Sequence, residues 1–211
     1  MKQLHWMIRM LVYVWVISHS STYANDVKQR YNACIACHGE QGQGNIALYA
    51  PALAQQFDWY LERQLQHFAN DIRGSSVNDT HGKTMVPFAK TITDKKQRQE
   101  LAVYISQLKP LPENTTDKTS LSGDLKNGSR YYHGKCGACH GGKAQGNPSF
   151  NAPKLTGIDP QYLLRQMRHF QQGVRGQHQD DKWGRQMAMM SKSVSDNELN
   201  DILYFISEQV E

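Results

Sequence analysis

Two short segments of the chain combine a pair of cysteines with a histidine at the same spacing. They read CIACH from residue 34 and CGACH from residue 136, so the pattern C-x-x-C-H occurs twice. The two segments contain all four cysteines of the 211-residue chain. Thiol and imidazole groups this close together are typical of zinc sites, redox dithiols and covalently attached haem.

The surroundings of each segment distinguish these three kinds of site. A structural zinc site would need a second pair of ligands in each copy, and no further cysteine is present. A thioredoxin-like dithiol would need a βαβ pattern, which the sequence lacks. Covalent haem attachment also explains the histidine, which becomes the proximal iron ligand. The sequence therefore predicts two covalently bound haem c groups, with these attachment residues and proximal ligands: Cys34, Cys37 and His38, and Cys136, Cys139 and His140.

Each iron then needs a sixth ligand, or leaves that position open for a substrate. Met85 is the only methionine between residues 34 and 94, and Met187 occupies the matching position of the second copy. Met85 lies in THGKTMVPFAK, which has the composition of a loop before a helix and not of an apolar stripe. This favours iron ligation over core filling, and we predict Met85 and Met187 as the sixth ligands. Met189 and Met190 are close competitors of Met187.

The other histidines after residue 24 have simpler explanations. His67 and His169 match in register and are alternative iron ligands, but both lie on predicted helices near an apolar stripe. Helix packing or hydrogen bonding is the favoured role for these two. The remaining histidines have no histidine at the matching position, and we predict that they lie on the surface: His81, His133 and His178.

A second set of matched residues could support the haems. The carbonyl oxygen of Pro51 or Pro153 could accept the Nδ1–H of the proximal histidine and orient its ring, although a simple turn is the alternative. Four further residues are candidates for bonding to the haem propionates, with solvated surface positions as the alternative: Tyr60, Tyr162, Arg73 and Arg175.

The two cysteine segments belong to a repeat of about one hundred residues. Residues 34–94 align with 136–196 without a gap, and 24 of the 61 positions are identical. Between the copies, residues 109–123 read KPLPENTTDKTSLSG, which is rich in proline and small polar residues and indicates a loop. The predicted organisation is a leader followed by two domains: residues 1–24, 25–112 and 113–211.

Apolar periodicity indicates helices in both copies. Apolar residues recur at i, i+4 and i+7, and the closing segments show similar stripes. Ser195 with Glu198 three residues later predicts a capping box. Because no alternating strand pattern is found, we expect an all-α fold. The residues on these stripes are Leu61, Leu65 and Phe68, Leu163, Met167 and Phe170, Leu101, Tyr104, Ile105 and Leu108, and Ile202, Phe205 and Ile206.

The first 24 residues resemble a cleavable export signal. Lys2 and Arg9 precede an eight-residue apolar run that ends at Ile17, and this run is well short of the roughly 20 residues that span a bilayer. We therefore predict cleavage near Asn25 and a periplasmic mature chain, with an uncleaved anchor as the alternative. Removal of two basic residues leaves 22 basic and 19 acidic side chains, a net charge of +3. No basic cluster with interleaved aromatics indicates nucleic-acid binding.

The mature chain resembles the di-haem cytochromes c of the c4 family, which are tandems of two class I cytochrome c domains. The resemblance rests on CIACHGEQGQGN and CGACHGGKAQGN, on APAL and APKL, on YLERQLQHF and YLLRQMRHF, and on the two downstream methionines. It implies an all-α fold with each domain wrapped around a haem. It also implies a periplasmic electron carrier, not an enzyme, between a quinol-oxidising complex and a haem–copper terminal oxidase.

Two other functions remain open from the sequence. A di-haem enzyme, such as a peroxidase or thiosulfate dehydrogenase, would need an open or displaceable iron ligand, which two matched methionines argue against. A cytochrome subunit docked on a membrane complex is the other alternative to a monomeric carrier in transient contact with redox proteins. The first predicted domain carries 10 basic and 8 acidic side chains, and the second carries 12 basic and 11 acidic side chains. This balance does not assign a partner to either domain.

Overall fold

The computed structural model of the chain describes residues 26–109 and 122–209. In these residues the β pairing is limited to two isolated bridges, Asn45–Ala50 and Asn147–Ala152, and the predicted all-α fold is confirmed. The helices are α1, which includes residues 26–38, α2 (Asp58–Ala69), α3 (Thr80–Lys90), α4 (Lys95–Ser106), α5 (Leu125–Lys135), α6 (Gly137–His140), α7 (Pro160–Gln171), α8 (Lys182–Ser191) and α9 (Asp196–Ser207).

Polar side chains cap the N-termini of most helices. Asp79 Oδ1 accepts the backbone N–H of Gly82 at 2.8 Å before α3, and Asp181 does the same for Gly184 before α8. At the start of α9, Ser195 and Glu198 form the predicted capping box. Each cap satisfies backbone donors that the first helical turn leaves without a partner.

The structure contradicts the predicted environment of Met85. The stretch THGKTMVPFAK is not a loop before a helix, because it forms α3 itself, with Met85 in its interior. Pro87 also lies inside this helix, although proline removes one backbone hydrogen bond. The cap by Asp79 and packing against α2 override this weak local propensity. Met187 has an equivalent position in α8.

Each repeat has its own apolar core. In the first, α2 packs against α3 and α4; in the second, α7 packs against α8 and α9, and α5 crosses α9. A side chain at Gly128 would collide with the carbonyl group of Asp201, so glycine permits the close approach of α5 and α9. The predicted stripes contribute to the buried clusters, which contain Tyr31, Leu61, Leu101, Ala102 and Ile105 in the first repeat, and Tyr132, Ala144, Leu163, Val194, Leu199, Ile202, Leu203, Phe205 and Ile206 in the second.

The predicted leader, residues 1–24, and most of the predicted linker lie outside the described residues. The boundaries of the leader and of the two domains therefore stay predictions. Among the helices of residues 26–109 and 122–209, none is long and apolar enough to cross a membrane.

Candidate cofactor sites

The first cysteine segment forms the C-terminal end of α1, where His38 is buried. The ring Nδ1 of His38 lies 2.9 Å from the carbonyl oxygen of Pro51. Because a carbonyl only accepts hydrogen bonds, Nδ1 carries the proton and Nε2 carries a free lone pair. Nε2 is buried and has no hydrogen-bond partner. A buried imidazole nitrogen without a partner fits a metal ligand, and haem iron satisfies this requirement.

The second segment repeats this arrangement around His140. Its Nδ1 lies 2.9 Å from the carbonyl oxygen of Pro153, and the ring is 9% exposed. Burial lowers the pKa of both His38 and His140, and the bonds to the two proline carbonyls oppose this effect only partly. Neutral imidazole is the form that binds a metal. The hydrogen bond anticipated for Pro51 and Pro153 is therefore present in both repeats.

The cysteines do not belong to a larger cluster of metal-binding side chains in the described residues. Burial raises the pKa of Cys34 and Cys136 to about 11, so both thiols are protonated at neutral pH. Among the described residues, no group of three or more histidine, cysteine, aspartate or glutamate side chains could hold a metal ion. The donors of a tetrahedral zinc site are thus not assembled there.

One continuous cavity joins the two cysteine segments. Met85 and Met187 are both half-buried on its wall, and Met190 also lines it, whereas Met189 is 69% exposed. His67 and His169 are not among its lining residues, so their placement does not favour iron ligation. The cavity brings together all eight predicted attachment and ligand residues: Cys34, Cys37, His38, Met85, Cys136, Cys139, His140 and Met187.

Arg73 connects the two repeats at the edge of this cavity. It is 8% exposed, and its guanidinium donates from Nη1 to Gln64 Oε1 at 2.7 Å within its own repeat. From Nη2 it donates to the hydroxyl of Tyr162 at 2.9 Å and to Gln166 Oε1 at 3.0 Å in the other repeat. One arginine therefore ties α2 to α7.

Arg175 makes the same set of contacts in the opposite direction. It donates to Gln166 Oε1 at 2.8 Å in its own repeat. In the first repeat it donates to the hydroxyl of Tyr60 at 3.2 Å and to Gln64 Oε1 at 3.0 Å. The surface alternative for these tyrosines and arginines is therefore wrong, because they form a hydrogen-bonded cluster between the domains.

This cluster carries two positive charges, and the carboxylate of Asp181 interacts with Arg175 without forming an ion pair. Neither Arg73 nor Arg175 forms an ion pair with a described acidic side chain, and the Nε of each is buried without a hydrogen-bond partner. Burial by itself raises the pKa of Tyr60, but the guanidinium groups of Arg175 and Arg73 outweigh it and lower the pKa. Both arginines line the cavity, where a carboxylate could accept their free N–H groups.

Further contacts between the repeats come from the outer parts of α2 and α7. Arg63 donates to the carbonyl oxygen of Asn151 at 3.2 Å, and Arg165 donates to that of Tyr49 at 2.9 Å. The ring of His81 stacks on Tyr49 with centroids 4.4 Å apart and lines the cavity. The surface prediction is therefore wrong for His81, whereas His133 and His178 are exposed as predicted.

Residues 24–109 and residues 125–209 each match the family model described as cytochrome c. The chain belongs to the cytochrome c family. Two tandem domains of this family with a cysteine pair in each imply two covalently bound haems, so the chain is a c4-like di-haem electron carrier. The predicted resemblance to the c4 family is confirmed.

Similar proteins support the same assignment. A cytochrome c4 from Azotobacter vinelandii is 26% identical over 82% of the chain and 83% of that protein. A thiosulfate dehydrogenase electron acceptor from Thiomonas intermedia is 33% identical over 68% of the chain, which spans 64% of that relative. The solved structure of cytochrome c4 from Acidithiobacillus ferrooxidans is 26% identical, with a TM-score of 0.65, over 82% of the chain and 97% of that protein.

Two matched pairs of interface residues, one of glutamines and one of aspartates, were not predicted from the sequence. Gln64 and Gln166 bridge the two arginines, and Asp79 and Asp181 cap the helices that carry the methionines. All four occupy identical positions in the repeat alignment. Their identity in the two repeats could have marked them as functional residues. It did not indicate that they meet across an interface.

Proposed function

We propose that the chain is a periplasmic carrier of single electrons between a quinol-oxidising complex and a haem–copper terminal oxidase. In this proposal each domain binds one haem, and neither iron has an open position for a substrate. The residues that would attach and ligate them are Cys34, Cys37, His38 and Met85 in the first domain, and Cys136, Cys139, His140 and Met187 in the second.

The observation that carries this proposal is the pair of buried imidazoles on one cavity wall. Each has its Nδ1–H fixed by a proline carbonyl and its Nε2 directed away from that bond. A bound haem supplies reversible one-electron chemistry at its iron. The proline carbonyl holds the ring orientation and raises the basicity of the ligand nitrogen. This rigid arrangement supports electron transfer without a change of ligands.

The methionines would complete the coordination from α3 and α8. A thioether on the second face excludes small molecules from the iron and favours the ferrous state. This argues against a peroxidase, which needs a vacant or displaceable position. Met190 also lines the cavity and is therefore the serious competitor of Met187, whereas the exposure of Met189 disfavours it.

The interface cluster would support transfer between the two haems within one molecule. Arg73 and Arg175 hold α2 against α7 at the cavity edge. Their unpartnered Nε–H groups would donate hydrogen bonds to the propionate carboxylates, which would act as counter-charges. Neutralising two buried guanidinium groups in this way removes a large desolvation cost. Haem binding and domain docking should therefore reinforce each other.

An optical spectrum combined with a redox titration of the exported protein tests this function. We expect two covalent haems per chain, low-spin spectra and the ferric absorption band associated with methionine ligation. Met85→Ala and Met187→Ala should each alter one haem only, while Met189→Ala should alter neither. A high-spin component in the unmodified protein would favour an enzyme instead.

The redox partner can be tested directly with purified proteins. The similarity to a thiosulfate dehydrogenase electron acceptor makes such a dehydrogenase the donor to compare with a quinol-oxidising complex. Stopped-flow reduction of the ferric protein by each donor gives the two second-order rate constants. Faster reduction by the dehydrogenase would contradict the proposed donor but not the carrier function. Copurification with a membrane complex at high salt would indicate a docked subunit.

A further inference from the structure

Gln56 makes a contact across the domain interface that the other repeat cannot reproduce. Its side chain is 5% exposed, and its Nε2–H donates to the carbonyl oxygen of Lys154 at 3.0 Å. The backbone N–H of Lys154 in turn donates to Gln56 Oε1 at 3.1 Å. The residue aligned with Gln56 in the second repeat is Ile158, whose side chain has no polar atom. The contact is therefore asymmetric.

This contact reaches the proximal histidine of the second domain through a single peptide group. The N–H of Lys154 and the carbonyl of Pro153 belong to the same amide, and that carbonyl accepts the Nδ1–H of His140 at 2.9 Å. A continuous chain of hydrogen bonds thus runs from Gln56 Oε1 through the Pro153–Lys154 peptide to the imidazole of His140. Such chains polarise each member, so a bond at the N–H strengthens the carbonyl as an acceptor.

In the first domain, only the hydrogen bond between the histidine and the proline carbonyl is present. The Pro51 carbonyl accepts the Nδ1–H of His38 at the same 2.9 Å. The N–H on the other side of that peptide belongs to Ala52, and it makes no hydrogen bond to any residue in the described part of the chain. The two histidine environments therefore match at the carbonyl and differ one bond further out.

The orientation of Gln56 is fixed by its own surroundings. The backbone N–H of Phe57 also donates to Gln56 Oε1, at 3.1 Å, which holds the amide oxygen toward the second domain. The Phe57 ring packs so closely on Gly146 that a Cβ added there would lie 2.6 Å from a ring carbon and 2.7 Å from Lys154 N. An aromatic ring from the first domain therefore covers this peptide together with Gln56.

We propose that Gln56 is a positioning residue for the haem of the opposite domain, acting on His140 through the Pro153–Lys154 peptide. This inference rests on the proposed function, because it assumes that His140 ligates the second iron. Gln56 makes the two otherwise matched haem sites chemically inequivalent. The difference arises at the domain interface and not at an iron ligand.

The direction of the effect follows from the polarity of the hydrogen bonds. A stronger bond from His140 Nδ1–H makes the imidazole a better electron donor at Nε2. A better donor stabilises the ferric iron and lowers the reduction potential of that haem. Loss of the Gln56 bond should therefore raise the potential of the second haem and leave the first unchanged.

A redox titration of the holoprotein carrying Gln56→Met tests this inference. Methionine has a similar length, but it has no donor for the Lys154 carbonyl, and its sulfur is only a weak acceptor for the Lys154 N–H. At a fixed applied potential, we expect the ferrous-to-ferric ratio of the second haem to rise at least twofold. For a one-electron couple, tenfold in this ratio corresponds to 59 mV, so the reduction potential should rise by at least about 18 mV. The two titration waves are assigned with two single-haem variants, in which either Cys34 and Cys37 or Cys136 and Cys139 are changed to alanine.

Two further variants separate positioning from simple domain attachment. Gln56→Glu keeps an oxygen that accepts the Lys154 N–H, so it should hold the second potential at or below its original value. Ile158→Val, which removes a single methylene from a cavity-lining side chain at the aligned position, should leave both potentials unchanged. Equal shifts of both haems in Gln56→Met would mean that Gln56 acts only through docking, and would overturn the proposal. No shift, or a fall in potential, would also overturn it.

The test of Gln56 and the test of the proposed carrier function can fail separately. If the unmodified protein lacked methionine-ligated low-spin haems, the carrier function would fail. The effect of Gln56 on the second haem could still be read, because it depends on His140 and not on Met187. If the carrier spectra are present and the second potential does not respond to Gln56→Met, only the positioning role is excluded.

Discussion

Removal of the Tyr162 hydroxyl should measure what the arginine cluster contributes to domain docking. Tyr162→Phe deletes the acceptor of one Arg73 Nη2–H bond of 2.9 Å. A hydrogen bond to a charged group contributes roughly 1.5–3 kcal/mol. The same Nη2 also bonds to Gln166 Oε1 at 3.0 Å, so the guanidinium is not left without a partner. We therefore expect the lower value, about 1.5 kcal/mol, or roughly tenfold in the docking equilibrium.

Denaturant unfolding of the holoprotein, followed by haem absorbance, gives the change in the free energy of unfolding. Tyr60→Phe should cost a similar amount, because Tyr60 accepts the equivalent bond from Arg175. Tyr131→Phe is the matched control: its hydroxyl also accepts from an arginine, Arg130, but the pair is exposed and lies within one domain. Exposed contacts of this kind contribute about 0–1 kcal/mol.

The comparison can fail in two ways. If Tyr162→Phe costs no more than Tyr131→Phe, the buried cluster does not stabilise docking and the reasoning from burial and charge is refuted. If Tyr162→Phe and Tyr60→Phe differ by much more than the uncertainty of the measurement, the two-fold equivalence of the contacts is refuted instead. A fall in the m-value would indicate a change in the surface exposed on unfolding.

Two further predictions concern the capped start of α3 and the buried histidines of α2 and α7. Gly82→Ala should destabilise the first domain by about 1–3 kcal/mol, because the added Cβ would collide with the Asp79 carboxylate. Gly134→Ala is the control: the space around Gly134 is open, so this change should be neutral or stabilising. Thermal unfolding of the two variants measures the difference. Burial lowers the pKa of His67 and His169, so the folded state binds protons less readily and should lose stability as the pH falls below about 6.5. A variant with both histidines changed to glutamine should flatten this pH dependence of the unfolding free energy.

The repeated pattern and the helical periodicity predicted most of the fold. Leu61, Leu101, Leu163 and Ile202 are buried as their spacing indicated, because a 3.6-residue period defines the inward face of a helix without knowledge of its neighbours. The position of Met85 inside α3 was not predicted, because the cap and the tertiary contacts that support the helix are not evident from local composition.

The sequence predicted candidate attachment and ligand residues but not the contacts that surround them. Cysteine spacing specifies haem attachment chemically, and the downstream proline provides a carbonyl at the right distance along the chain. The contacts of Gln56 with Lys154, or of Arg73 with Tyr162, depend on how two separately folded domains dock. No periodicity within one domain contains that information, so these residues could be identified only from the structure.

Three kinds of contact at the interface obey a two-fold rule with a constant offset of 102 residues. The rule applies to the arginine–tyrosine, arginine–carbonyl and histidine–aspartate contacts: Arg73–Tyr162 and Arg175–Tyr60, Arg63–Asn151 and Arg165–Tyr49, and His67–Asp181 and His169–Asp79. In each case residue i of one copy meets j of the other, and j meets i. This is the geometry of an isologous dimer, here formed within one chain.

Such symmetry has a consequence for the two redox sites. A contact that obeys the rule acts on both haems alike, so it can bring them together but cannot make them different. A difference in potential must therefore come from positions where the two copies differ in sequence, and near the proximal histidines Gln56 is one such position. In this chain identical side chains donate the symmetric docking contacts, whereas a non-identical residue can make the two sites differ.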